Sequence, residues 1–123
     1  DLGQFGVAES VLRKSLESAP EDANALNNLA WLYATSPPPY FNPQAALDLA
    51  LRAAAREPDP TILDTLAEAY YANGLAEEAL RTIIRALHKG PKNPDYFLKQ
   101  KRKFESAVKS EMENRETGWE KEE

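Results

Sequence analysis

The sequence of 123 residues contains no cysteine and a single histidine, His88, and these shortages exclude much chemistry. Without cysteine the chain has no disulfide, no thiol nucleophile and no thiolate metal ligand. One histidine cannot assemble the usual zinc ligand sets. Asp64 and Glu68 have the spacing of a general acid/base pair on one helix face, but no nucleophile or phosphate loop accompanies them. We therefore expect neither an enzyme nor a metal or cofactor site.

Long hydrophobic runs are also missing. No stretch approaches about eighteen consecutive apolar residues, so the sequence predicts no membrane insertion. The chain begins at Asp1 without a Met and without the basic and apolar regions of a signal peptide. We interpret it as a piece of a longer protein. A cysteine-free chain suits both reducing and oxidising compartments, so the localisation stays open.

An excess of positive charge is lacking as well. The chain carries 15 Lys and Arg residues against 20 Asp and Glu residues, which gives a net charge of −5. The positive charge is concentrated at residues 99–103, a stretch that we interpret as the solvated face of a helix. Phosphate contacts need a basic surface, so the sequence predicts no nucleic-acid partner.

The sequence does contain apolar residues at the i, i+3, i+4 spacing of helix faces, together with Asn-Pro and Asp-Pro pairs that are typical of helix starts. No stretch alternates with period two, so we predict an all-α fold without strands. The predicted helices run from Gln4 to Ala19, from about Asp22 to Thr35, from Asn42-Pro43 to Glu57-Pro58, from Asp59-Pro60 to a turn at Asn73-Gly74, from about Ala76 to His88, and from Asn93-Pro94 to about Met112.

Two stretches of the sequence resemble each other, which indicates an internal repeat. Laying residues 24–33 over residues 61–70 places Leu on Leu twice, Ala on Ala and Tyr on Tyr. The helices that follow match too, since residues 46, 50, 53 and 58 fall on residues 79, 83, 86 and 91. Residues 3–20 resemble the second half of an earlier copy. Internal copies that recur after about 20–50 residues are typical of repeat proteins, in which stacked units share one core.

This pattern resembles the tetratricopeptide repeat family, whose unit is a helical hairpin of about 34 residues. The family's small, large and aromatic positions fall in the best copy on Leu63, Leu66, Ala67, Tyr70, Ala79, Ile83, Ala86 and Pro91. The resemblance implies a half repeat over about 1–22, a repeat over about 23–59 with an inserted turn, a repeat over about 60–93, a capping helix over about 94–112 and a polar tail over 113–123. We expect the tail to be frayed and Trp119 within it to be mobile.

In this family the first helices of successive hairpins line a concave groove that holds a peptide or a helix of a partner protein. The resemblance implies that the groove residues are Asn24, Asn27, Trp31 and Thr35 from the second helix, Asp64, Glu68 and Tyr71 from the fourth, and Lys99 and Arg102 from the sixth. The acidic pair indicates a basic or apolar ligand. It argues against the clamp by which one branch of the family grips terminal carboxylates.

Two alternatives follow from the irregular copies. Trp31 is either a binding hot spot in the groove or a residue covered by the inserted loop at residues 37–41. The first copy lacks its first helix, so Val11 and Leu12 are expected to form an exposed edge. The module would then self-associate, or dock within a larger protein, through that edge instead of binding a partner in the groove.

Overall fold

The computed structural model describes the backbone of residues 1–122 and the side chains of residues 1–118. This part of the chain forms six α-helices and no strand, so the prediction of an all-α fold is confirmed. The helices are α1 (Leu2–Ser18), α2 (Ala23–Thr35), α3 (Pro43–Arg56), α4 (Pro60–Ala72), α5 (Ala76–His88) and α6 (Pro94–Glu122).

The helix ends follow from local side-chain chemistry. Asp22, Asn42 and Asp59 precede α2, α3 and α4, and each accepts hydrogen bonds from backbone N–H groups of the first turn. These N–H groups have no partner within the helix, so the capping side chains stabilise the starts. Gly74 and Gly90 follow α4 and α5 with φ angles of 75° and 69°, which glycine adopts without steric strain.

Each helix packs against its neighbours in the chain, and α2 also contacts α4. Neighbouring helices run antiparallel: the Asn73 side chain, at the end of α4, donates to the Pro43 carbonyl at the start of α3 at 2.7 Å. In the same way Arg115, late in α6, lies 3.7 Å from Glu77 at the start of α5.

Small and large apolar residues alternate in the core. Side chains with no exposed surface include the alanines that let helices approach closely and the large residues that fill the space between them, namely Ala30, Ala46, Ala50, Ala53, Ala67, Ala79 and Ala86 with Leu26, Leu63, Ile83 and Phe104. Close packing of this kind stabilises the fold through apolar burial and dispersion contacts. The alanine and large apolar positions that align between the copies are therefore core positions.

α1 is the least buried helix, and the position of Leu12 on it differs from the prediction. Leu12 was expected on an exposed edge, but it packs against the core together with Ala8 and Leu16. Val11 is 58% exposed, as expected. The helical twist separates these neighbours by about 100°, so adjacent residues cannot share one edge.

α6 corrects a second prediction. Its helix was expected to end at about residue 112, followed by a frayed tail over 113–123, but it continues to Glu122. Residues 105–117 contain no proline and many strong helix formers, and the Arg115–Glu77 ion pair ties this stretch to α5. The side chain of Trp119 lies outside the described residues. No helix in the described part of the chain has the length and apolar character that a membrane crossing requires.

Candidate binding groove

A groove of about 540 Å³ opens between α1, α2, the first half of α4 and the start of α6. α1 contributes the apolar side chains of Phe5, Ala8 and Leu12, and the facing surface of α2 includes Leu32 and Trp31. Most of the other lining groups are neutral and polar. The volume is in the range of pockets that hold small ligands or short peptide segments.

Four of the residues that the sequence predicted for a groove lie together in it: Asn27, Trp31, Thr35 and Asp64. Trp31 keeps 36% of its surface exposed. Thr35 donates its hydroxyl to the Trp31 carbonyl at 2.8 Å, as threonine commonly does on a helix. Asn24, also predicted here, is exposed at the start of α2 and does not line the groove.

Asn27 is the unusual polar residue of the groove because only one end of its amide is paired. The side chain is 8% exposed. Its Nδ2 donates to Asn28 Oδ1 over a long 3.4 Å. Its Oδ1 is buried, and no hydrogen-bond donor reaches it within the described residues. Buried acceptors in proteins are paired in the great majority of cases, so this oxygen marks a position where a donor would be stabilising.

The inserted loop does not cover Trp31, so that prediction is wrong. Its residue Tyr40 packs against Phe5 on α1, with ring centroids 6.0 Å apart. Gly6 leaves room for this approach, since an added Cβ would lie 2.7 Å from the Tyr40 hydroxyl oxygen and the ring would have to shift. The loop therefore folds over α1 and leaves Trp31 in the groove wall.

A buried acid cluster, formed by Asp64, Glu68, Tyr96, Gln100 and Lys103, joins α4 to α6. Tyr96 donates its hydroxyl to one oxygen of Asp64 at 2.7 Å. Gln100 donates its amide N–H groups to the other oxygen of Asp64 at 2.9 Å and to Glu68 at 2.8 Å. The Lys103 ammonium pairs with Glu68. Both carboxylates are less than a tenth exposed, so each loses most of its bound water on folding. The hydrogen bonds from Tyr96, Gln100 and Lys103 replace that water.

This cluster corrects the prediction for α4. Glu68 and Tyr71 were expected to face the groove, but both contact α6 and neither lines it. The Tyr71 ring lies 5.4 Å from that of Phe104, and the Lys103 ammonium sits 4.8 Å from the Tyr71 ring centroid. Residues 64, 68 and 71 of α4 contact, in the same order along the chain, residues 96, 100 and 104 of α6. The two helices therefore run parallel, and α6 covers the second half of α4.

Lys99 and Arg102 of α6 were also predicted to face the groove, but neither lines it. Lys99 and Arg102 are exposed, whereas Tyr96, Gln100 and Lys103 form the stripe that contacts α4. Each residue turns the helix by about 100°, so the neighbours of Gln100 point elsewhere. Among the α6 residues whose side chains the structure describes, Tyr96 alone also lines the groove.

The electrostatics of the groove centre on Asp64. Burial raises the pKa of the Asp64 carboxyl, and the hydrogen bonds from Gln100 and Tyr96 oppose that rise. Burial, together with the bond to Asp64, raises the pKa of the Tyr96 hydroxyl, which therefore remains a donor. In the described part of the chain no group of three or more His, Cys, Asp or Glu side chains is placed to hold a metal ion. The groove thus offers an aromatic surface, hydrogen-bond acceptors and one carboxylate.

Comparisons with models of protein families, with characterised proteins and with solved structures found no match to this chain. Its class therefore rests on the fold and the site. It is an all-α protein whose helices pack in chain order around one core and enclose one side of an open groove.

Proposed function

We propose that the chain is a tetratricopeptide-type module, two and a half helical hairpins closed by a long helix. The support comes from the two hairpins α2–α3 and α4–α5, whose helices have 13, 14, 13 and 13 residues. Six pairs of aligned positions are buried in both hairpins, namely 26 and 63, 29 and 66, 30 and 67, 46 and 79, 50 and 83, and 53 and 86. Each hairpin packs against the next, as stacked repeat units do to bury their apolar faces.

The function that we infer for this module is protein interaction: the groove holds a segment of a partner protein. The observation that carries the proposal is Trp31, a large aromatic side chain that is 36% exposed in the wall of a concave groove. Tryptophan is enriched among the residues that dominate binding energy at interfaces. A ligand that covers the indole removes apolar surface from water, a favourable contribution of about 25 cal/mol per Å² that is opposed by the entropy lost on association.

A display library of random peptides provides the test. We expect the wild-type chain to enrich peptides whose affinity falls by about 30-fold or more in Trp31→Ala, the loss that corresponds to about 2 kcal/mol for a hot spot. In a Trp119→Phe background Trp31 is the remaining tryptophan, so its fluorescence reports occupation of the groove.

Phe41→Ala is the matched control, because Phe41 is an exposed aromatic residue that does not line the groove. It should bind the enriched peptides like wild type. The proposal fails if no peptide is enriched, or if Trp31→Ala and Phe41→Ala bind equally well.

A second candidate function, assembly through α1, is favoured by one observation. Val7 and Val11 are 66% and 58% exposed, and their spacing of four residues places them on one face of the helix. We propose that this face, in place of the predicted edge at Val11 and Leu12, would bind a second copy or another part of a longer protein. Apolar side chains grouped on one helix face are the means by which helices associate.

Sedimentation equilibrium over a range of concentrations tests the self-association. We expect the mass to rise with concentration in wild type and to stay monomeric in Val7→Lys with Val11→Lys. Leu51→Lys changes an exposed leucine of α3 and serves as the control. A constant monomer mass for the wild type rejects self-association.

A further inference from the structure

We propose that the groove selects peptide segments that carry a lysine or arginine side chain, held between the Trp31 indole and the Asp64 carboxylate. The inference rests on the proposed peptide-binding function and names the chemistry of the ligand.

The charge of the groove wall is the first argument. No Lys, Arg or His is among the lining residues, and Asp64 is the acidic one. Both Asp64 oxygens accept hydrogen bonds, one from Tyr96 and the other from Gln100. A protonated carboxyl would have to donate from one of these oxygens, so the arrangement suits the ionised form. A cationic group is therefore complementary to the groove, and an anionic one is repelled.

The unpaired oxygen of Asn27 is an independent argument for a donor in the ligand. This side chain is more than nine-tenths buried, lines the groove, and has no donor to its Oδ1 within the described residues. Ammonium and guanidinium groups have several N–H donors and no acceptor. Such a group can therefore serve Asn27 and Asp64 without leaving an acceptor of its own unpaired.

The aromatic surface is the third argument. Trp31 and Tyr96 line the groove and are 36% and 40% exposed. Lysine and arginine pack their apolar stems along aromatic surface while keeping the charged head polar, and their cations are attracted to the face of an indole. A purely apolar segment would cover Trp31 equally well, but it would leave Asn27 unpaired and the charge of Asp64 unbalanced.

The test begins with the library of random peptides on the wild-type chain. We expect the enriched sequences to share a Lys or Arg at one position. A peptide from this set is then compared with two analogues in which that residue is norleucine or glutamate. We expect the norleucine peptide to bind at least tenfold more weakly to the wild type and the glutamate peptide more weakly still.

The variants locate the effect. In Asp64→Asn and in Asn27→Leu the preference for the basic peptide over its norleucine analogue should shrink several-fold. Asp48→Asn removes the same charge from the exposed surface of α3 and should keep the full preference. Because Asp64 also holds α6, thermal unfolding is measured for each variant. If Asp64→Asn does not fold, Asn27→Leu, which lies outside the acid cluster, decides the question.

The outcomes separate the two proposals. Enriched peptides without a basic residue, with an acidic one, or with equal affinity for the norleucine analogue would overturn the inference and leave the binding function standing. A library that enriches no peptide overturns both. An unchanged preference in Asn27→Leu and in folded Asp64→Asn would also overturn the inference, because the basic residue would then be recognised outside the groove.

Discussion

The inner faces of α2 and α4 occupy equivalent places in the two aligned copies, yet one is open and the second half of the other is covered. Asn27 and Trp31 align with Asp64 and Glu68. Trp31 is 36% exposed in the groove, whereas Glu68 is 7% exposed beneath α6. The difference lies in the following element, because α6 runs parallel to α4 and extends polar side chains onto it. Equivalent positions in the two copies therefore take different roles according to what packs over them.

The chemistry of the two faces fits these roles. The α4 face has two carboxylates, which can be buried only because Gln100, Tyr96 and Lys103 supply donors to them. The α2 face has an amide and an indole, groups that tolerate partial exposure and bind ligands well. We infer that α6 is fixed by the acids of α4 and that recognition is shared by Asn27 and Trp31 of α2 with Asp64, the α4 carboxylate that also lines the groove.

The largest expected effect comes from detaching α6. Phe104 has no exposed surface and contacts Tyr71 of α4. We expect Phe104→Ala to lower the free energy of unfolding by about 3–5 kcal/mol, the usual cost of emptying a buried aromatic site. Urea unfolding followed by circular dichroism measures this. Met112→Ala on the exposed surface of α6 should cost about 0.5 kcal/mol or less. Similar losses for the two variants would show that α6 is not anchored through Phe104.

A smaller loss is expected from the polar part of the same contact. Gln100→Leu removes the donor that Asp64 and Glu68 share, and should cost about 2–3 kcal/mol, since hydrogen bonds to charged groups contribute more than neutral ones. Lys99→Leu changes the exposed neighbour and should stay within about 0.5 kcal/mol of wild type. Urea unfolding again provides the measurement. Equal stability of the two variants would mean that Gln100 does not hold the acid cluster together.

The helices and the core were predictable because their signals are local. Asn42-Pro43 and Asp59-Pro60 predict helix starts, because the capping side chain and the backbone N–H groups that it accepts from lie within one turn. The apolar period similarly assigned Ala67 and Ile83 to the core. Trp31 and Asn27 were assigned to a groove through the resemblance to the tetratricopeptide repeat family, in which the first helices of the hairpins line one.

The covering of α4 was not predictable, because it depends on which face of α6 meets it. Residues 99–103 carry positive charge around the whole helix, so charge alone does not select a face. The structure places Gln100 innermost, and a physical reason exists: burying a neutral amide costs less than burying an ammonium or guanidinium. The packing of Tyr40, from the inserted loop, against α1 was not predictable either. The sequence feature that could have indicated it is Gly6, a small residue that leaves room on α1.

The smallest expected effect concerns the pH dependence of stability. Burial raises the pKa of the Asp64 carboxyl, so the folded chain binds this proton more tightly than the unfolded chain. The stabilisation from this proton is fully present below the unfolded pKa of about 3.9 and is lost as the pH rises through the higher folded pKa. Asp64→Asn stays uncharged throughout. We therefore expect the free energy of unfolding of wild type, relative to that of Asp64→Asn, to decrease from about pH 4 to about pH 7.

Urea unfolding of both proteins at several pH values across this range tests the sign, and Asp48→Asn controls for the loss of one exposed charge. The opposite trend, with wild type gaining stability relative to Asp64→Asn toward neutral pH, would mean that the donors Tyr96 and Gln100 outweigh the desolvation of Asp64. Folding would then favour the ionised form of the Asp64 carboxyl. The sign of this small effect thus decides which contribution dominates at Asp64, the desolvation on burial or the hydrogen bonds from α6.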